Sequence, residues 1–370
     1  MNLFVLSELH PSNKYVGWSV SYDLEETLAT TCNPTFIYPS ANNKIKLSQG
    51  IEFPDDHLAF LRRYRHRIFK SWFEIENLPT LGKGCNVLLI IGLQPQFLLS
   101  MHALGPLLQK FDLRLGYVLD GFDPQHLDKA AASHLDHLFV MSAEIADAVD
   151  ATGMVKTSFL PLAANVLRTG GKNQNRWIDI IAYGRGNLDL HRCLQTNFNQ
   201  HQDGRVYFHS TFSRPEVDDH REHITLLSKL LDRSKLSLCF EASNIPRFMG
   251  YSPILYRWYE AWASGCTIVG KKPFGKGTAE LMDWENSVID IPDAESDWIP
   301  FFEDILNDSE TLALNVQRNY RESLLRHDWR YRIRQIFETV GLESPETLNR
   351  GIAHLEETAS GLATPLKIYA

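Results

Sequence analysis

Short apolar runs bounded by turn residues recur along the chain, separated by stretches long enough to hold a helix. A run without polar alternation is buried on both faces, and helix-length spacing supplies the crossovers that parallel strands need. Together these features specify parallel sheets covered by helices, an α/β fold. In the first half the runs are Leu3 to Leu6, Phe36 to Tyr38, Val87 to Ile91, Leu115 to Leu119 and His137 to Met141, with Phe159-Leu160-Pro161 as a sixth. Between them, Tyr22 to Ala29 and Ala143 to Val149 carry apolar residues at helical spacing.

Near Leu167 the pattern gives way to Arg-Thr-Gly-Gly-Lys-Asn-Gln-Asn-Arg, a polar segment with nothing to bury. A second series then begins with Trp177 to Tyr183 and continues through Val206 to His209, Leu236 to Phe240, Thr267 to Val269 and Ser287 to Ile289. Helical patterns lie at Ile224 to Leu231, Leu255 to Ala263, Trp298 to Leu306 and Leu312 to Leu325. A chain of 370 residues exceeds one ordinary core. The expected organisation is one α/β domain over 1–168, a second over 169–345, and a helix with an apolar tail over 346–370 that packs back on a neighbouring domain.

Composition narrows the class. A net charge of -8 argues against a general nucleic-acid binder, which needs a basic surface to neutralise phosphates. Cys32, Cys85, Cys193, Cys239 and Cys266 lie far apart without a CxxC pair, which fits a reducing cytoplasm. The longest apolar run, Val87 to Ile91, is far below the roughly 20 residues that span a bilayer, so no transmembrane segment is expected. The opening Met1 to Ser7 lacks the basic region of a signal peptide and reads as a first strand. The histidines are scattered and no Asp-x-Asp occurs, so neither a metal site nor a cofactor is expected.

Tyr251 to Gly270 is the most informative segment: a loop, a helix, a glycine stop and a buried strand. Ser252 is expected to cap the helix with Pro253 at its first position, leaving backbone donors that attract a phosphate. Arg257 and Glu260, three apart, share one helical face. The arginine suits a diphosphate, and the glutamate can accept from two ribose hydroxyls. A surface ion pair is the alternative for the two.

The phrase Arg257-x-x-Glu260-Ala-x-Ala-Ser-Gly265-Cys, followed by a strand and then Gly275-Lys-Gly277-Thr278-Ala-Glu280-Leu, resembles the donor-binding region of GT-B glycosyltransferases, notably the family 1/family 4-like and CgeB-like members. The likeness continues through Asp308 to Arg321 and His327-Asp-Trp329-Arg-Tyr-Arg332. It implies a GT-B fold, two Rossmann-like domains facing each other across a cleft. The N-terminal domain would bind the acceptor and the C-terminal one a nucleotide-sugar donor, with Glu260 on the donor ribose and Gly277 and Thr278 in the donor loop. Two departures stand out. Many retaining members carry glutamates eight residues apart, but Ser252 occupies the first of those places. Arg185 could neutralise half of a leaving diphosphate, but the lysine that usually follows is absent.

Ser243 and Arg247, between a strand and the helix, are further candidates for donor phosphate, with loop capping as the alternative. His209-Ser210-Thr211 could border the base. On the acceptor side Gly17 permits close backbone approach, and Trp18 could stack on a sugar ring or sit half-buried. Asp120 is the first candidate for a catalytic base, and His102 the second. Arg62, Arg63, Arg65 and Arg67 read as a solvated helix with internal pairing to nearby acids. The expected activity is metal-independent transfer from a nucleoside diphosphate sugar, a UDP-sugar first, to the hydroxyl of an acceptor that is a saccharide, lipid, protein or small molecule. Asp120, Arg185 and Arg257 would carry the chemistry. A sugar-nucleotide epimerase or hydrolase, and a non-catalytic nucleotide or protein binder, are the alternatives.

Overall fold

The computed structural model describes residues 1–9, 14–41, 73–171, 173–184, 186–199, 204–209 and 216–362. The chain divides into two compact units. The first holds Met1–Pro161 together with Glu216–His220 and Asn244–Met249; the second holds Leu162–Pro215, Arg221–Ser243 and Gly250–Ala370.

The first unit is built on a six-stranded parallel sheet. In chain order its strands are β1 (Asn2–Ser7), β2 (Thr35–Ile37), β5 (Asn86–Gly92), β6 (Leu113–Val118), β7 (His137–Val140) and β8 (Thr157–Phe159), arranged β2-β1-β5-β6-β7-β8. A separate antiparallel ribbon pairs β3 (Ser40–Ala41) with β4 (Phe73–Glu74); it is too short for periodicity to reveal. The central strands β1 and β5 pair in parallel with Leu6 opposite Ile90, and Val5, Leu6, Val87, Leu88, Ile90 and Ile91 are all buried. The helix α1 (Ser19–Cys32) extends the expected helical stretch at both ends, and α2 (Ala143–Asp150) starts from Ser142, whose hydroxyl accepts from the Ile145 amide.

The second unit repeats the plan with five parallel strands: β9 (Ile178–Ala182), β10 (Tyr207–His209), β11 (Ser234–Phe240), β12 (Thr267–Lys271) and β13 (Ile289–Asp290), in the order β10-β9-β11-β12-β13. Ile180, Leu236 and Val269 from three neighbouring strands join Leu190, Leu194, Phe198 and Phe302 in one buried cluster. The helices are α3 (Leu188–Phe198), α4 (His220–Leu231), α5 (Tyr256–Ala263), α6 (Trp298–Asn307), α7 (Ser309–Arg326), α8 (Trp329–Thr339) and α9 (Glu346–Gly361). Gly265 ends α5 with φ +73°, a conformation that L side chains resist, and Asn187 and Asp308 cap α3 and α7. The helix α9 packs on α7 and α8. The tail 363–370, and the arginines 62, 63, 65 and 67, lie outside the described residues.

Among the described residues no helix is long and apolar enough to cross a membrane. None of the histidine, cysteine and acidic side chains there converge as a group that could hold a metal ion.

Candidate functional site

In an open parallel sheet, ligands settle outside the C-terminal ends of the strands, where loops rather than helices cover the edge. In the second unit that edge is formed by the residues after β9, β11 and β12. The helix α5 packs against β11 and β12 and presents Arg257 and Glu260, both half-buried. Tyr183, just past β9, donates its hydroxyl to the Arg257 carbonyl at 3.0 Å and lies 3.4 Å from Glu260 Oε2. Burial, and then the Glu260 charge, push the Tyr183 phenol well above its ordinary range, so it stays a donor. The next residue, Gly184, has φ +73°, and a Cβ there would collide with the Arg257 guanidinium. The positive φ of this turn favours glycine, and its lack of a side chain leaves the space that the arginine fills. Arg185 lies outside the described residues, as do Ser210 and Thr211.

Ser252 departs from expectation. The helix begins at Tyr256 with Leu255 as its cap, and no side chain caps it. Pro253 and Ile254 instead continue the preceding segment, both buried. Ser252 is fully buried, and its hydroxyl donates to Glu241 Oε2 at 2.9 Å. Ser243 also turns to Glu241, through its amide at 2.6 Å and its hydroxyl at 2.9 Å. Nothing in the spacing of the sequence announces Glu241 as the centre of this group. Gly277 has φ +75°, and Thr278 closes its own turn by bonding the Gly275 carbonyl through both amide and hydroxyl.

The corresponding edge of the first unit gathers residues from distant parts of the chain. Asp120, after β6, meets Arg247 in an ion pair at 2.8 Å. Its other oxygen accepts from the Gly121 amide at 2.8 Å. Arg247 therefore belongs to this edge, with its guanidinium 4.8 Å over the Phe248 ring. Gly121 leaves the space that Phe248 occupies. Gln94 bonds the Gly121 carbonyl at 3.3 Å. Glu8, at the end of β1, accepts from the Leu93 amide at 2.7 Å, and burial pushes its carboxyl up to about 7. Sequence reasoning passed over Glu8, although its place directly after the first strand was a usable signal.

Two acceptor-side expectations change. Trp18 is only 6% exposed and packs edge-on to Tyr15 at 5.3 Å, so its face is not open to a sugar ring. Gly17 lies against that same Tyr15 ring, which takes the space a side chain would need. His102 packs edge-on to His134 at 4.9 Å. His209 sits beside His191 on the outer strand β10, with ring centroids 4.7 Å apart.

No protein-family model matches the chain by sequence, and no curated protein does. Solved structures do. An α-glucosyltransferase in complex with UDP and a 13-mer DNA containing a central A:G mismatch superposes with a TM-score of 0.52 at 13% identity, covering 92% of this chain and 100% of that one. Anabaena HepE in complex with UDP-glucose reaches 0.48 at 11% identity, over 92% and 100%. A glycosyltransferase from Rickettsia africae reaches 0.46 at 10% identity, over 91% and 97%. The first of these, taken with two parallel sheets flanked by helices, decides the architecture. The fold is GT-B. Within a GT-B chain the edge carrying Arg257 and Glu260 belongs to the later of the two sheets, as the sequence resemblance implies.

Proposed function

We infer that the protein is a glycosyltransferase that takes its sugar from a nucleoside diphosphate donor held by the second unit. The observation that carries this reading is the grouping of Arg257, Glu260 and Tyr183 at the C-terminal edge of the five-stranded sheet, with Gly184 leaving room for the guanidinium. Arg257 is the charge partner for the diphosphate. A guanidinium fixed before reaction stabilises the negative charge that grows on the departing group, without reorganisation at that moment. Glu260 accepts the ribose hydroxyls, and Tyr183, by donating to the Arg257 carbonyl, ties this turn of α5 to the end of β9.

Transfer breaks the bond from the anomeric carbon to the diphosphate oxygen and forms one to the acceptor oxygen. The electron pair leaves with the diphosphate, and the acceptor hydroxyl gives up its proton. The sequence resemblance assigns the acceptor, and with it the proton, to the first unit, whose own sheet edge holds two carboxyl groups. Asp120 is tied to Arg247, whereas Glu8 has no charged partner among the described residues and is pushed up to about 7, close to the operating pH of a general base. Glu8 is thus the better-suited acceptor of the two. Uridine leads as the donor base because the α-glucosyltransferase that shares the fold was solved with UDP.

The test is a melting screen of the protein against UDP, GDP, ADP, CDP and dTDP, since a ligand that binds only the folded state raises its stability. Selective stabilisation by one of them, lost in Glu260→Gln, is the expected result. A folded protein that responds to none of them sinks the reading.

A further inference from the structure

The donor reading leaves one carboxylate at the second edge without a task. Glu241 follows β11, the central strand of the five-stranded sheet, and its amide donates to the Lys271 carbonyl on neighbouring β12 at 3.1 Å. The side chain is half-buried. One oxygen accepts from the Ser243 hydroxyl; the other accepts from the Ser243 amide and the Ser252 hydroxyl. Ser252 in turn offers its carbonyl to the Gly275 amide at 2.9 Å. The carboxylate is therefore fastened to the loop after β11, to the segment that leads into α5 and, through Ser252, to the glycine loop after β12.

Among the described residues no lysine, arginine or histidine pairs with Glu241. An ionised carboxylate offers about four acceptor positions, and three donors are supplied here, so acceptor capacity is left over. What such a group can receive is set by charge. A phosphate brought against it meets like charge, which costs energy, whereas a hydroxyl brings a proton to donate. The residues expected from sequence to touch phosphate, Ser243 and Ser252, spend their hydroxyl protons on this carboxylate. The edge thus separates into a cationic part at Arg257 and an anionic part at Glu241, and a nucleotide sugar carries the matching pair of features, a diphosphate next to a hydroxyl-rich ring.

Resting on the donor-site reading above, the geometry points to Glu241 as the residue that accepts hydroxyls of the transferred sugar and so determines which sugars are taken. Ser243 and Ser252 are positioning residues that aim its carboxylate. The chemical class of ligand is a hexose or N-acetylhexosamine joined to a nucleoside diphosphate, bound through hydroxyls on the ring.

The experiment is calorimetric titration of the full chain with the diphosphate selected by the melting screen, UDP by expectation, and with its esters of glucose, galactose and N-acetylglucosamine. In Glu241→Gln the affinity for the free diphosphate stays within about twofold of the native value, while the preferred ester loses roughly tenfold, the scale of a hydrogen bond to a charged group. Ser252→Ala moves in the same direction by roughly threefold, because the carboxylate loses one of the donors that fix it. An equal loss for diphosphate and ester in either variant assigns these residues to the frame or to the phosphates and overturns the proposal, as does an unchanged ester affinity in both. Should Glu241→Gln fail to melt cooperatively, Ser252→Ala and Ser243→Ala carry the same comparison. Failure of the native protein to bind any diphosphate is a different result, which removes the donor site itself.

Discussion

The C-terminal edges of the two parallel sheets hold similar residues in different states of pairing. At the edge of the six-stranded sheet Asp120 and Arg247 neutralise each other at 2.8 Å, and Glu8 is held toward its protonated form by burial. At the edge of the five-stranded sheet Arg257 and Glu260 project from one helix with the Tyr183 hydroxyl beside both. Glu241 there meets hydroxyl and amide donors, and no cation among the described residues. The first edge is suited to neutral groups that give up or share a proton. The second is suited to a ligand that brings negative charge and hydroxyls together. One architecture therefore yields two chemistries, and the distinction comes from partners, not from composition.

That contrast breaks most visibly at Arg257. Replacing it with alanine is expected to weaken binding of the selected nucleoside diphosphate by roughly 100-fold, with little change in the melting temperature, since a charge-assisted contact to phosphate is lost from a half-buried position. An affinity within a factor of about 3 of native would mean that the second edge is no more an anion site than the first, at that level of discrimination.

Two buried groups, one in each unit, respond to pH with opposite signs. In the first, Glu25 is buried among Ser7 and Tyr38, and its carboxyl is pushed up from 4.5 to about 7. The folded unit keeps a proton that the unfolded chain releases. The contribution is complete below about pH 4.5 and is lost as the pH rises through about 7. Glu8 titrates over the same window. In the second unit His327 is fully buried and stacks on Trp262 at 5.6 Å, and burial with the Arg332 and Arg326 charges holds it well below 6.5. Here the unfolded chain takes up the proton, so stability is present above about 6.5 and is lost on acidification. Glu25→Gln should gain roughly 2 kcal/mol relative to native between about pH 5 and about pH 8, measured by denaturant unfolding. His327→Gln should narrow the acid-side loss of the second unit, read by hydrogen exchange as a difference from native. The same pH dependence in the two variants' differences from native would contradict this account.

The sheets were legible because their strands are buried on both faces and appear as uninterrupted apolar runs. Leu3 to Leu6 grew by one residue at each end, and Leu236 to Phe240 became Ser234–Phe240. The grouping on α5 was legible for a related reason: Arg257 and Glu260 are three apart on one helix, so sequence spacing is spatial spacing. A serine before a proline suits a helix start, yet the helix begins only at Tyr256 and the Ser252 hydroxyl serves a carboxylate eleven positions earlier. Asp120 and Arg247 lie 127 positions apart, and no local pattern can pair them. The packing of Trp18 on Tyr15 is local, three positions away, but it is made by a single 3-10 turn too short to leave a periodic pattern.

Gly184 offers a finer probe of the second edge. Alanine there must adopt φ near +73° and would push against the Arg257 guanidinium, the mobile end of a flexible side chain. The guanidinium should yield before the backbone does. Diphosphate affinity is expected to fall by roughly tenfold while stability drops by about 1 kcal/mol, the usual scale for a non-glycine residue in the left-handed region. A change in stability with full affinity would show that the arginine is not held in place by this turn.

The smallest effect belongs to the first edge. Asp120→Asn removes the charge partner of Arg247, but both side chains are partly open to water, at 26% and 31% exposure, so solvent screens much of the interaction. The guanidinium also keeps its place over the Phe248 ring. A loss of about 0.5 kcal/mol in unfolding free energy is expected, with no change in diphosphate affinity. Arg247→Ala separates the two assignments more strictly. If Arg247 serves only Asp120, diphosphate titrations of this variant will match the native protein. If it reaches the donor as its place in the sequence suggested, affinity will fall by roughly tenfold, as for other guanidinium contacts to phosphate, and the division of labour between the two edges will have to be redrawn with Arg247 on the donor side.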